Sequence, residues 1–140
     1  LPGVSGSRYL AVVGRRDDQV FVVPEVAGEF ALDIRQFERL WCGKARIPWR
    51  NPEKIPYLGS VGEEGEGVAA LQRQLQACGL YGGAVNGIYD TATIDAVTQL
   101  QTATGIAPDG RVGPQTLIAL YHTTGAFRQP SLTKRGEGLP

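Results

Sequence analysis

The stretch from Gly62 to Tyr121 decides the fold. It reads GEEGEGVAALQ from Gly62 to Gln72, GLYGGAVNGIYDTAT from Gly79 to Thr93 and DGRVGPQTL from Asp109 to Leu117. Val68, Leu71, Leu75 and Cys78 recur at helical spacing, and Gly79 follows them as a left-handed C-cap. Asp90 is placed to cap a second helix whose inward stripe is Ile94, Val97, Leu100 and Gln101, with Gly105 at its end. Gly113 and Pro114 open a third, with proline in the first helical position and Leu117, Leu120 and Tyr121 facing inward. The second and third patterns echo one another. GIYDTATIDAV from Gly87 and GRVGPQTLIAL from Gly110 align Gly on Gly, Thr93 on Thr116, Ile94 on Leu117, Ala96 on Ala119 and Val97 on Leu120. A fainter copy runs from Gly65 to Leu75, so one helix-and-turn unit is used repeatedly.

These residues resemble the peptidoglycan-binding domain family, a small three-helix module of cell-wall enzymes and envelope proteins. The family usually carries an aromatic residue where this chain has Leu100, a mild departure because leucine fills the same kind of core position.

Working outward, the chain has 140 residues, room for one domain or two small ones. Lys plus Arg equals Asp plus Glu at 14 each, so charge balance makes no case for nucleic acid or an anionic membrane surface. No apolar run approaches the length that spans a bilayer. With no initial Met and no signal-peptide pattern, the chain reads as a fragment or processed product, and any membrane anchor is expected outside it. Cys42 and Cys78 fit either an oxidised pair or two thiols, and the place of Cys78 on an apolar stripe favours a packed thiol there.

Arg8–Gly14 and Gln19–Pro24 are apolar, β-branched runs joined by Arg15-Arg16-Asp17-Asp18, a hairpin pattern whose two faces are both expected to be partly covered. Glu29–Leu32 adds a short third strand. Asp33 then caps a helix with Ile34, Phe37, Leu40 and Trp41 inward, ended by Gly43. Ala45–Trp49 reads as a last strand and Asn51–Pro56 as a linker. The expected class is therefore α+β: a small β-rich segment with one helix over residues 1–57, a three-helix module over 58–122 and a polar tail over 123–140. Residues 1–7 read as a loose end, and the tail as disordered or loosely wrapped, with Phe127 and Leu132 available to tether it.

The phrase Phe37-x-x-Leu40-Trp41-x-Gly43-x-Ala45-x-x-x-Trp49-Arg50 carries a second resemblance. It is similar to the segment that precedes the peptidoglycan-binding module in the general secretion pathway protein A family, ATPase partners of type II secretion. That segment belongs to a domain similar to bacteriocin-processing cysteine peptidases. The resemblance implies a fold fragment without its catalytic set. The family's His would fall near Tyr9 and its Asp at Val23 before Pro24, and the nucleophilic Cys would lie upstream of Leu1.

His122 is the single histidine, so a two-His metal site cannot be drawn, and neither a metal nor another cofactor is expected. Glu63, Glu64 and Glu66 could serve as paired acids, but carboxylates at a helix start are favoured electrostatically in any case. With one His at the module's edge no Ser-His-Asp or Cys-His set can be assembled, and no Lys-Ser/Thr follows a glycine run to make a phosphate loop. The two glycine turns, Gly79–Tyr89 and Gly105–Gly113, remain. Their glycines permit positive φ and close packing. Their backbone N–H groups, at the starts of the second and third helices, suit carboxylates. The expected ligand-binding residues are Tyr81, Asn86, Gly87, Tyr89, Asp109 and Arg111.

The family resemblance implies a non-catalytic, non-enzymatic cell-wall binding module in the periplasm or cell envelope. Its partner would be peptidoglycan, through stem peptide or glycan. The second resemblance implies a role in placing a secretin or other envelope complex, with secretion-complex proteins as further partners. The alternative is an accessory domain of a cell-wall hydrolase whose catalytic residues lie outside this chain. No nucleic-acid partner is expected.

Overall fold

The computed structural model describes residues 9–127 and Leu132. The chain divides into two compact units, 1–47 with 130–140, and 48–129.

The first unit is an antiparallel three-stranded sheet in the order β1-β2-β3, followed by a short helix. Strand β1 covers Ala11–Arg16, β2 Gln19–Val26 and β3 Glu29–Asp33. Arg15 and Arg16 pair with Val20 and Gln19, so the connection is the two residues Asp17 and Asp18 rather than the four-residue loop expected. Asp17 takes a positive φ there, a conformation Asp tolerates better than most residues. Ala27 and Gly28, both at positive φ, make the second tight turn. Both faces are partly covered, as expected. Val20, Val22, Val26 and Leu32 build one core with Leu10, Val12, Ile34, Phe37 and Leu40 packed on it, while Val13 and Val23 remain exposed. On the outer face, Phe21 is sheltered by Phe30, with ring centroids 5.7 Å apart. Leu132 accepts a backbone hydrogen bond from Arg15 N–H at 2.8 Å.

Helix α1, Ile34–Leu40, starts as expected on Asp33. Asp33 Oδ1 accepts from Arg35 N–H at 2.7 Å and Gln36 Oε1 accepts from Asp33 N–H at 2.8 Å, a reciprocal capping box. The helix stops at Leu40, before Gly43. Trp41 turns to extended backbone and is more exposed than buried, its indole N–H donating to the Lys44 carbonyl. No strand forms over Ala45–Trp49: Pro48 has no N–H for a ladder, and Trp49 packs instead on the core of the helical unit.

The second unit holds α2 (Glu66–Ala77), α3 (Thr91–Ala103) and α4 (Pro114–Thr124). All eight residues read as its core, Val68, Leu71, Leu75, Ile94, Val97, Leu100, Leu117 and Leu120, lie in or against one cluster, Ile94 being only partly buried. Asp90 Oδ1 accepts from Thr93 N–H at 2.8 Å and caps α3, and Pro114 opens α4 behind Gly113. Gly79 and Gly105 take the left-handed conformation expected after α2 and α3. Two readings change. Residues 51–56 are not a free linker: Ile55 is buried among the helices, Asn51 exchanges two hydrogen bonds with it, and Tyr121 donates to Asn51 Oδ1 at 2.8 Å. Phe127 packs edge-on against Tyr121 at 5.1 Å, extending the core beyond α4. The rest of the tail, 128–131 and 133–140, and residues 1–7 lie outside the described residues.

Leu71 and Leu100 are fully buried. Replacing either with alanine should cost about 2–5 kcal/mol by combined transfer and cavity effects. Chemical denaturation followed by circular dichroism checks this, and an unchanged midpoint in either variant would remove that residue from the core.

Candidate functional site

A left-handed glycine turn leaves backbone groups pointing toward the protein, and buried polar groups must find partners. Here each turn closes on a buried glutamine. Gln72 on α2 accepts the Gly87 N–H at Oε1, 2.9 Å, and its amide nitrogen lies 2.8 Å from Asn86 Oδ1, 3.0 Å from the Ile88 carbonyl and 3.0 Å from Thr93 Oγ1. Gln101 on α3 repeats the pattern. Its Oε1 accepts from Gly110 N–H at 2.9 Å, and its nitrogen lies 2.9 Å from Asp109 Oδ1, 2.9 Å from the Arg111 carbonyl and 3.2 Å from Thr116 Oγ1. Gly87 on Gly110 and Thr93 on Thr116 is the register of the sequence echo. The fainter copy shifts: superposing Gln72 on Gln101 places Gly65 on Ile94 rather than on Gly87.

The turns are held from the other side by the segment before α2. Leu58 and Val112 exchange two backbone hydrogen bonds, while Tyr89 N–H donates to the Glu63 carbonyl and Gly62 N–H to that of Tyr89. Glu63 Oε1 accepts the Gly59 and Ser60 N–H groups at 2.9 and 2.6 Å, which holds its carboxyl below the ordinary range. Glu63 is thereby a loop-closing group, while Glu66 is the acidic residue in the first turn of α2.

The six expected ligand residues divide by exposure. Tyr89 is fully buried, its hydroxyl donating to the Gly110 carbonyl at 2.5 Å, and desolvation pushes its pKa up to about 12. Tyr81 is also buried, donating to the Ala84 carbonyl at 3.0 Å. Both rings are packed in the core, with no more than 6% of either residue exposed to a ligand. Gly87 is buried with its N–H engaged by Gln72. Asn86, Asp109 and Arg111 are exposed. Asn86 Oδ1 accepts from Ile88 N–H and Asp109 Oδ1 from Arg111 N–H, so the two residues make equivalent turns. The Arg111 N–H first, and the Gln101 amide second, hold the Asp109 carboxyl low. The N–H groups of Gly87, Ile88, Gly110 and Arg111 are thus engaged within the turns, and the start of α3 is taken by Asp90. The start of α4 differs, since its N-cap Gly113 provides no side-chain cap.

A cleft of about 590 Å³ opens between the first turns of α2 and the Val85–Ile88 loop, with no residue of the Gly105–Gly113 turn on its wall. Glu64, Glu66, Ala69, Arg73, Asn86 and Ile88 line it. Gly65, Val85 and Gly87 border it as well, so two of the six expected ligand residues, Asn86 and Gly87, lie at the cleft. The signal that was available is the acidic run Glu63-Glu64-x-Glu66, which was read as favouring a helix start. His122 is exposed in the last turn of α4. Cys42 and Cys78 are free thiols, and burial raises the pKa of Cys78. Among the described residues no three His, Cys, Asp or Glu side chains gather as a metal site, and no helix is long and apolar enough to cross a membrane.

Three short helices closed by two equivalent turns define a small helical repeat module. Residues 64–120 match the family model described as "Putative peptidoglycan binding domain", and the match falls within the helical unit. The chain is 44% identical over 57 residues to N-acetylmuramoyl-L-alanine amidase CwlM of Mycobacterium tuberculosis, covering 41% of this chain and 14% of that protein. It is 37% identical over 83 residues to N-acetylmuramoyl-L-alanine amidase CwlL of Bacillus licheniformis, covering 56% and 22%. It is 43% identical over 72 residues to an uncharacterized protein in the bpoA1 3′ region of Kitasatospora aureofaciens, covering 51% and 61%. The matches thus span about a seventh and a fifth of the two amidases and under two thirds of the third relative. No solved structure matches significantly.

Replacing Gln72 or Gln101 with alanine leaves a buried glycine N–H without its partner and removes one of the bonds to the Ile88 or Arg111 carbonyl, and should cost roughly 2–4 kcal/mol. Denaturant titration of the two variants checks this. The pH dependence follows from the turns as well. The Thr93 hydroxyl first, and its N–H second, lower Asp90, as bonded N–H groups lower Asp109 and Glu63. Their stabilisation is complete above the unfolded values near 4 and is lost as pH falls through the lower folded values. Tyr89 is raised, so its contribution is complete below about 10 and is lost as pH rises through about 12. Melting temperatures measured across pH should fall on both flanks, and Tyr89→Phe should flatten the alkaline one.

Proposed function

We propose that the helical unit is a non-catalytic module that holds a parent protein to peptidoglycan in the cell envelope. The observation that carries this reading is the coincidence of the family match over 64–120 with a self-contained helical core bearing an open cleft. Asn86 at the cleft, and Asp109 and Arg111 at the equivalent second turn, are the exposed polar tips we assign to wall contact. Gly87 shapes the first turn and borders the cleft. The cleft is open and solvated, so binding per module is weak, since area alone does not secure affinity.

Two parents fit. The names of two relatives, both N-acetylmuramoyl-L-alanine amidases, favour an accessory domain of a wall hydrolase whose catalytic residues lie outside this chain. The Phe37–Arg50 phrase supports instead the periplasmic part of a type II secretion ATPase, with secretin or other secretion-complex proteins as partners. The first unit would then be the catalytically empty, peptidase-like segment.

Wild-type protein should sediment with insoluble purified peptidoglycan, and Asn86→Ala and Arg111→Ala, each first shown to be folded, should be retained less. Failure of the wild type to co-sediment at low salt removes the binding reading. Equal retention of all three leaves the function and displaces the contact surface.

A further inference from the structure

The next step rests on the peptidoglycan-binding reading and adds the chemistry of the group that is bound. The two halves of the helical unit follow one plan but differ at one place. With Gln72 on Gln101, Ala69 falls on Thr98, Gly65 on Ile94, Glu66 on Asp95 and Arg73 on Thr102. In the second copy the turn glycine is covered by side chains. A Cβ built on Gly110 would stand 2.8 Å from Ile94 Cγ2 and 3.2 Å from Thr98 Oγ1. In the first copy those side chains are missing. A Cβ on Gly87 would meet the Gly65 carbonyl at 3.2 Å and Ala69 Cβ at 3.7 Å. The cleft of about 590 Å³ lies at this place, where Gly65 and Ala69 leave it open.

Charge decides what an open cleft here can take. Glu64, Glu66 and Arg73 line it, two carboxylates against one guanidinium. Arg73 is committed to Glu66 at 2.6 Å. Among the described residues Glu64 has neither ion pair nor side-chain hydrogen bond. An ionised carboxylate only accepts, so its complement is a donor, and a cationic donor gives the stronger bond. Val85 and Ile88 are exposed apolar side chains on the same wall, suited to the methylene stem that carries such a charge.

We propose that this cleft binds a free primary ammonium of the cell wall, with Glu64 as its acceptor. The module would thus read wall material whose amine has not been consumed by cross-linking. An ammonium can come from the diamino acid of a stem peptide or from a de-N-acetylated glucosamine. The apolar wall favours the peptide source.

The test is co-sedimentation of the full chain with insoluble peptidoglycan before and after treatment with acetic anhydride, which converts each ammonium to a neutral amide. Acetylation should lower retention of wild type roughly three- to tenfold, as expected for loss of one partly exposed charged contact. Glu64→Gln should bind untreated wall as weakly as wild type binds acetylated wall, and should lose its sensitivity to acetylation. Ala69→Thr imports the residue of the second copy, whose hydroxyl bonds the carbonyl four residues back in its own helix. It should fill the cleft and weaken binding with the melting temperature retained. Asp95→Asn, at the filled counterpart, should bind as wild type. Competition by a soluble stem peptide with a free side-chain amine assigns the peptide source, and competition by a glucosamine oligomer assigns the glycan. Competition by neither overturns the proposal. Wild type that binds native and acetylated wall equally also overturns it while the binding reading stands. Wild type that binds neither removes both.

Discussion

A buried glutamine amide bonded to a glycine turn is the constraint on which the helical unit depends. The turn presents an N–H from the glycine, a carbonyl from the residue after it and a side-chain oxygen from the residue before it. A carboxylate could satisfy only the N–H, and an apolar side chain none of them. Glutamine alone among residues of that size offers an acceptor and two donors on one planar group. At zero and 1% exposure, Gln72 and Gln101 lie beyond the reach of bulk water, so each unmade bond would carry the full desolvation penalty. The turn geometry and the helix position are therefore specified together.

That shared constraint explains the internal repetition better than the apolar stripe does. Leucines at helical spacing could pack in several registers. Two glutamines that must meet Asn86-Gly87 and Asp109-Gly110 permit one. Thr93 and Thr116 lock the following helix to the same amide, and Tyr89 ties the two turns to each other through the Gly110 carbonyl. The segment before α2 completes the arrangement by pairing with Tyr89 and Val112, so residues 51–64 belong to the module's architecture and not merely to its approach. With both turns engaged inwardly, the cleft we assign to recognition is the place where the repeat is imperfect. Small residues at Gly65 and Ala69 leave a cleft that Ile94 and Thr98 fill in the other copy.

The β-rich unit is organised on a different principle. Its hairpins are closed by two-residue turns, and its helix is started by a reciprocal cap. Its core is one-sided, with Val20, Val22 and Leu32 on the same face. The Phe37–Arg50 phrase, which motivated the secretion-pathway reading, passes from α1 into backbone without regular structure after Leu40, and Trp49 belongs to the helical unit.

Much of this was legible in the sequence because helices announce themselves locally. Asp33 and Asp90 as caps, Pro114 in a first turn, and leucines three and four apart depend on neighbours within one or two turns of chain. The α+β class followed from those signals and from the β-branched runs. What periodicity cannot say is which polar groups a buried position will meet. Gln101 was placed on the inward stripe, but its partners lie eight to fifteen residues on, and Gln72 gave no local signal at all. Tyr81 and Tyr89 read as available aromatics because tyrosine suits both surface and core, and only the packing of three helices decided for the core. Trp49 was read as part of a strand because its neighbours suggested one, while the apolar surface it joined is built from residues far along the chain. The cleft itself exists only as a difference between two superposed copies. The sequence alone determined where helices begin and which faces are apolar. Tertiary structure decided which turn is covered and which is open, because that depends on side chains brought together by the glutamine bonds.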